Sequence, residues 1–228
     1  VVDVATPDSP AVVGRREIDA ATQLLPCADG RHALVVCSAT GFRWNSLPSA
    51  GSLRVVDLAD PTDPRIVAKV ALPATTAAVD GARAVVAVAP SRTEPAGLIP
   101  VDLSDPARPA VGRRVPFHDA LPSRLLLHGD VVYGAAPYGN VWSLDLSRPD
   151  AALVPLRVPG GMNVGFGRSG DVLYVGTSWQ GVVAFDLSRP DAPKLLGRPP
   201  SDRTLGYLKR RGRRLLRRDG SAVGRTVR

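Results

Sequence analysis

Aromatic residues make up only 5% of this chain, cysteine occurs twice and methionine once. No apolar run approaches the roughly 18 residues that a membrane-spanning helix needs. No cysteine or histidine stands at a zinc-ligand spacing, no alternating Asp/Asn loop with its glycine forms a calcium site, and no Gly-x-Ser-x-Gly elbow is present. Apolar residues at i, i+3, i+4 and i+7 are missing as well, which excludes an array of helical repeats. The reading therefore expects no cofactor and no metal.

What the chain does have is one motif repeated along its length. Its fullest copy is GVVAFDLSRPDAP from Gly181 to Pro193, and weaker copies are VVDVATPDSP from Val1, LRVVDLADPTDP from Leu53, LIPVDLSDPARP from Leu98 and VWSLDLSRPD from Val141. Each is a run of β-formers that ends in an aspartate and runs into a Pro-rich turn. The five aspartates are Asp3, Asp57, Asp102, Asp145 and Asp186, at intervals of 54, 45, 43 and 41 residues. The long first interval contains the extra segment Ser38 to Gly51. A period of about 40–45 residues with several short strands per unit predicts the blades of a propeller.

Short apolar runs such as Ala84–Ala89, Val131–Gly134, Val172–Gly176 and Val182–Leu187 read as strands. At one point of every repeat stands a hairpin signal: Asp29-Gly30, Asp80-Gly81, His128-Gly129-Asp130 and Ser169-Gly170-Asp171. One repeat thus has four strands, A to D. In the fourth interval A lies near Asn163–Gly167, B at Val172–Gly176, C at Val182–Leu187 and D near Lys194–Gly197. The expected fold is all-β, a β-propeller of four-stranded antiparallel blades with about five repeats.

The motif resembles the LVIVD repeat, a strand ending in Val-Asp, then Asp-Pro, then a second proline before the outer strand. Val55-Val56-Asp57 with Asp60-Pro61 and Pro64 fits, as does Val101-Asp102 with Asp105-Pro106 and Pro109; the later copies depart, with Phe185-Asp186 and Leu144-Asp145 in place of Val-Asp. The resemblance spans Val1 to about Pro200 and implies a β-propeller, often of exported or surface proteins of bacteria. The expected division is 1–200 for the LVIVD-like repeats and 201–228 for a degenerate basic last repeat or a truncated end. Val1 falls inside a strand C and the chain stops about one period after Asp186. Two arrangements fit this: a five-unit ring sealed between its termini, or a slice of a longer array with open edges.

The net charge of +8 is local. From Lys194 to Arg228 there are 12 basic and 2 acidic residues, so the rest of the chain is slightly acidic. This tail can be aligned as a repeat, with strand A at Leu205–Arg210, a turn at Arg211-Gly212-Arg213 and strand B at Arg214–Arg218. Clustered arginine leaves an anionic partner open, against a solvated last blade. Stacking aromatics interleaved with it are absent apart from Tyr207, which argues against nucleic acid.

Register argues against a disulfide between Cys27 and Cys37. With Ala28–Arg31 as the A–B turn, Cys27 lies opposite about His32, and Cys37 is five positions further, roughly 16 Å at about 3.3 Å per residue. A bridge needs Cα atoms about 4.4–6.8 Å apart. The repeat aspartates, present in near-equivalent copies, are expected to hold their turns by accepting backbone N–H bonds rather than to form a catalytic or metal ring.

A propeller enzyme commonly works at the channel mouth, where strand A begins. The repeat alignment puts Gln23-Leu24, Ala74-Thr75, Pro122-Ser123, Asn163-Val164 and Leu205-Gly206 there, with no carboxylate or histidine among them. Nearby connectors add Asp19, His118 and Asp119, so His118 and Asp119 are the residues of a hydrolase or lyase reading.

The B–C connectors carry Phe42 and Trp44 in the long insertion, Tyr138 beside Gly139-Asn140 and Trp179 beside Gln180-Gly181. In a chain so short of aromatics, four on loops of one rim point to a recognition surface. The D–A connectors, Asn163 included, add polar contacts; the alternative is that each ring packs over its own loop. The preferred reading is a non-catalytic binding domain, without a membrane span, that recognises a protein or a glycan at a cell surface through Phe42, Trp44, Tyr138, Trp179 and Asn163.

Overall fold

The computed structural model describes residues 1–38, 51–91, 93–116, 121–136, 141–148, 152–158, 163–178, 181–189, 192–197, 209–211 and 214–216. They hold strands and turns and no helix. The chain divides into two compact units, Val1–Leu121 and Pro122–Arg228.

In the first unit β1 (Val2–Asp3) pairs with β2 (Ala11–Val12). The strands β3 (Ala21–Pro26), β4 (His32–Ser38), β5 (Gly51–Asp57) and β6 (Arg65–Ala71) then form an antiparallel meander, the first complete blade. The second blade is β7 (Ala74–Asp80), β8 (Arg83–Val88) and β9 (Gly97–Asp102), with its outer strand in two pieces, β10 (Ala110–Val111) and β11 (Val115–Pro116). Both pieces pair with β9. Between them Gly112 N–H donates to Pro100 O at 2.8 Å, so close that a Cβ at Gly112 would stand 3.0 Å from that oxygen.

In the second unit the third blade is β12 (Arg124–His128), β13 (Val131–Ala135), β14 (Val141–Asp145) and β15 (Val154–Leu156). The fourth is β16 (Asn163–Ser169), β17 (Val172–Thr177), β18 (Gly181–Asp186) and β19 (Lys194–Gly197). A last hairpin joins β20 (Lys209–Arg211) to β21 (Arg214–Leu216), Arg211 opposite Arg214. Strand A of this tail, expected over Leu205–Arg210, is thus described from Lys209 onward.

The turns between the first two strands of each blade are tight because a glycine takes the left-handed conformation, with φ of 66° at Gly30, 63° at Gly81, 57° at Gly129 and 58° at Gly170. A side chain with a Cβ is strained there. At the other end of the first strand the pairing slips by one residue, between Ala21 and Gln23, Ala74 and Thr76, and Asn163 and Gly165. Such bulges bend and twist a strand. A hydroxyl sits at each of three strand starts and donates across to the second strand: Thr22 to Val36 O at 3.2 Å, Thr75 to Ala87 O at 3.2 Å, Ser123 to Ala135 O at 3.3 Å.

The second strands of the first three blades are buried on both faces, which is why they read as near-continuous apolar runs, while β17 of the fourth alternates buried with half-buried residues. In the first unit Leu34, Val36, Leu53 and Val55 pack against Ala74, Ala77, Val86, Val88, Ile99 and Val101 of the second blade. In the second unit Tyr133, Ala135 and Val141 pack with Leu173, Val175, Val183 and Phe185. Gly134 lies opposite Trp142 on the neighbouring strand, and a Cβ there would run into the indole ring.

Candidate functional site

Three connectors carry the aromatics singled out in the sequence, and Phe42, Trp44, Tyr138 and Trp179 all lie outside the described residues, as do His118 and Asp119. The bases of the connectors are described. Ser38 pairs with Gly51 beneath 39–50, Ala135 with Val141 beneath 137–140, and Thr177 with Gly181 beneath 179–180. The last base is locked further, because Thr177 Oγ1 donates to Gly181 O at 3.0 Å. Asn163 begins β16 directly opposite Thr177, so its backbone stands at the same end of the blade as the Trp179 connector. Each of these connectors leaves its blade at the end away from the aspartate turns.

The equivalent connector of the second blade, between β8 and β9, has no aromatic and is pinned from outside. Arg114 Nη1 donates to Pro95 O at 2.7 Å and its Nη2 meets Glu94 Oε2 at 3.0 Å. The arginine stem passes over Gly97, where a Cβ would stand 2.6 Å from Arg114 Cγ. Nothing in the spacing announces this contact; it arises because the outer strand is broken and re-enters beside the connector.

At the opposite end of the blades lie the repeat aspartates. Asp3, Asp57, Asp102, Asp145 and Asp186 each accept the backbone N–H two residues on, from Ala5, Ala59, Ser104, Ser147 and Ser188, at 2.8–2.9 Å. Ser104 and Ser147 add their hydroxyls at 2.7 and 2.6 Å. These bonds favour the carboxylate. The Ser104 hydroxyl first and then its N–H hold Asp102 below the usual carboxylate range, and the Ser188 N–H does the same for Asp186. Asp57 goes further, because the Arg31 guanidinium grips both oxygens, Nε to Oδ1 at 3.0 Å and Nη2 to Oδ2 at 2.8 Å.

Around the first hairpin turn Asp29 takes N–H bonds from Arg31 and His32 and faces His32 Nδ1 at 2.6 Å. The His32 backbone bond leads in bringing its carboxyl down to about 2. Cys27 pairs with His32 through a 2.8 Å backbone bond, while Cys37 pairs with Ala21 and Ser52. Both thiols are free, Cys37 buried and Cys27 half-buried, and burial pushes the Cys27 thiol up. A thiol so placed is no activated nucleophile.

Two polar links join neighbouring blades and went unnoticed in the sequence. Gln23, aligned there with the channel mouth, reaches Ala77 of the second blade. Between the third and fourth blades, Arg168 Nη1 lies 2.8 Å from His128 Nδ1, and His128 Nε2 is 3.5 Å from Asp171. Among the described residues no three His, Cys, Asp or Glu side chains converge as metal ligands. Among them, too, no helix is long and apolar enough to cross a membrane.

Residues 168–199, which hold the last three strands of the fourth blade, match the family model of the LVIVD repeat. No curated protein matches the sequence. Among solved structures the chain is similar to the computationally designed Ika8 protein, at 11% identity over 84% of this chain and 67% of that one, with a TM-score of 0.51. It is also similar to an acylaminoacyl peptidase of Pyrococcus horikoshii, at 11% identity over 92% of this chain and 36% of that one, TM-score 0.54. One of two prolyl endopeptidases matches at 18% identity over 87% of this chain and 30% of that one, TM-score 0.50. The chain thus spans about a third of each peptidase. At these identities the likeness is one of fold, an all-β propeller architecture.

Proposed function

We propose that this chain is a non-catalytic propeller domain of an exported or cell-surface protein that recognises a protein or a glycan with the loops joining the second and third strands of its blades. The observation that carries the reading is the position in the sequence of four of the chain's few aromatics, Phe42, Trp44, Tyr138 and Trp179, within three such connectors, each flanked by a pair of bonded strand ends. Ala135 and Val141 at one base and Thr177 at another are buried. A rigid base presenting a variable, ring-bearing loop is the common arrangement of recognition sites. Asn163, beside the Trp179 loop, contributes a polar contact.

The test is a screen of immobilised glycans and extracellular protein fractions with the wild-type chain, followed by Trp44→Ala and Trp179→Ala. Anchoring aromatics contribute about 2 kcal/mol or more, so at least one variant loses roughly 30-fold in affinity with an unchanged circular dichroism spectrum. Variants that unfold mark the rings as structural, and hydrolytic activity abolished by His118→Ala replaces this reading with the enzymatic one.

A further inference from the structure

On the first complete blade, strand β5 alternates between two environments. Leu53 and Val55 enter the core shared with the second blade. Arg54 points to the other face, where its cross-strand neighbour Val35 clusters with Cys37 and Val56, and Ile18, Leu58 and Ile66 pack on them. A half-buried guanidinium in that apolar company needs acceptors. Nε of Arg54 is buried and has none. The residue directly opposite on β6 is Lys69, so two cations face each other across the ladder, a pairing that destabilises a sheet. Among the described residues neither cation has an ion-pair partner: Asp63 is taken by Arg65 at 2.6 Å and Asp57 by Arg31. Glu17 and Asp19, on either side of Ile18, are exposed and pair with neither.

Two independent features thus ask for the same thing. The orphaned Nε needs an acceptor, and the Arg54–Lys69 pair needs negative charge. Water satisfies the first and leaves the second. One oxyanion satisfies both, accepting Nε–H and an Nη–H side by side from the planar fork and neutralising the ammonium of Lys69. Lys69 is exposed and Arg54 half-buried, with buried Ser52 two residues from Arg54 on the same face. We infer that Arg54 and Lys69 form a binding site for a single oxyanion group, a phosphate, sulfate or carboxylate, on the face of the first blade turned away from the second. This site is independent of the loop reading above.

The experiment uses the full chain and inorganic phosphate, sulfate and acetate as separate probes, each against sodium chloride at equal ionic strength. Binding is followed by calorimetry and by the 15N–1H signal of Arg54 Nε. Expected are saturable binding of at least one oxyanion, a shift of the Nε signal on saturation, at least tenfold weaker affinity in Arg54→Gln and a smaller loss in Lys69→Gln. The three probes separate a carboxylate site from a phosphate or sulfate site. If Arg54→Gln is unfolded, Lys69→Gln, on the exposed outer strand, carries the test alone. A response no larger than that to chloride, or oxyanion binding unchanged in both variants, overturns the inference.

Discussion

The side-chain amide of Gln23 pairs with Ala77 as a strand would: Nε2 donates to Ala77 O at 3.0 Å and Oε1 accepts from Ala77 N–H at 2.9 Å, with Thr76 Oγ1 adding a third bond at 3.1 Å. Gln23→Ala leaves both backbone groups of Ala77 without these partners in a part-buried position, which costs about 1–3 kcal/mol. Gln23→Glu keeps the acceptor and loses the donor, and sets a carboxylate against the Ala77 carbonyl. Urea unfolding should rank both below the wild type; equal midpoints would mean that water replaces the amide.

Gly134 supplies the space that Trp142 occupies. Gly134→Ala forces the indole or the strand to move, a loss of about 1–3 kcal/mol by overpacking. The double variant Gly134→Ala/Trp142→Phe should recover part of it, because the smaller ring withdraws from the added methyl. A double variant no more stable than Gly134→Ala would place the strain elsewhere.

The repeat aspartates make a comparative test. Alanine at Asp57, Asp102, Asp145 or Asp186 removes the acceptor that fixes the turn, and each should lower the melting temperature, with asparagine milder because its carbonyl still accepts the N–H. Asp57 should fall furthest, since it also holds Arg31. Loss of a binding or catalytic activity at one aspartate alone, without loss of stability, would separate that residue from the set.

Acid sensitivity follows from the same carboxylates. Asp29 titrates at about 2 in the folded chain against about 3.9 unfolded, so the folded state binds fewer protons through this window. Its contribution is complete above about pH 4 and is lost as the pH falls toward 2. The group is exposed and solvent-screened, so the effect is small. Asp29→Asn should flatten stability between pH 4 and 2 and lower it slightly at neutral pH, as read by melting temperature across that range.

The strand framework was legible because the second strands of the first three blades are buried on both faces and each hairpin turn needs a glycine with positive φ. The predicted strands of the fourth interval match β16 to β19 within a residue or two, and Cys27 does lie opposite His32. The bulges were not legible, since a one-residue slip between Ala74 and Thr76 leaves the apolar pattern of the strand intact. Thr75 and Ser123 did fall at matching places in the repeat alignment, and hydroxyls there are the signal that could have revealed the bond to the second strand. The broken outer strand at Gly112 and the reach of Arg114 to Glu94 were invisible because both depend on contacts between separate stretches of chain. The same holds for Arg54 and Lys69, which only register brings together. The aromatic loops were proposed from composition, and they stand on described bases without being described themselves.

The two thiols differ in a way that can be put to use. Cys37 is sealed within the sheet and Cys27 stands half-open near the first hairpin turn. A bulky maleimide added to the native chain should therefore modify Cys27 first, slowly because its thiolate is disfavoured, and reach Cys37 only when the blade opens. The second modification then becomes a clock for how often that blade comes apart, in a chain that needs no engineered label to be timed.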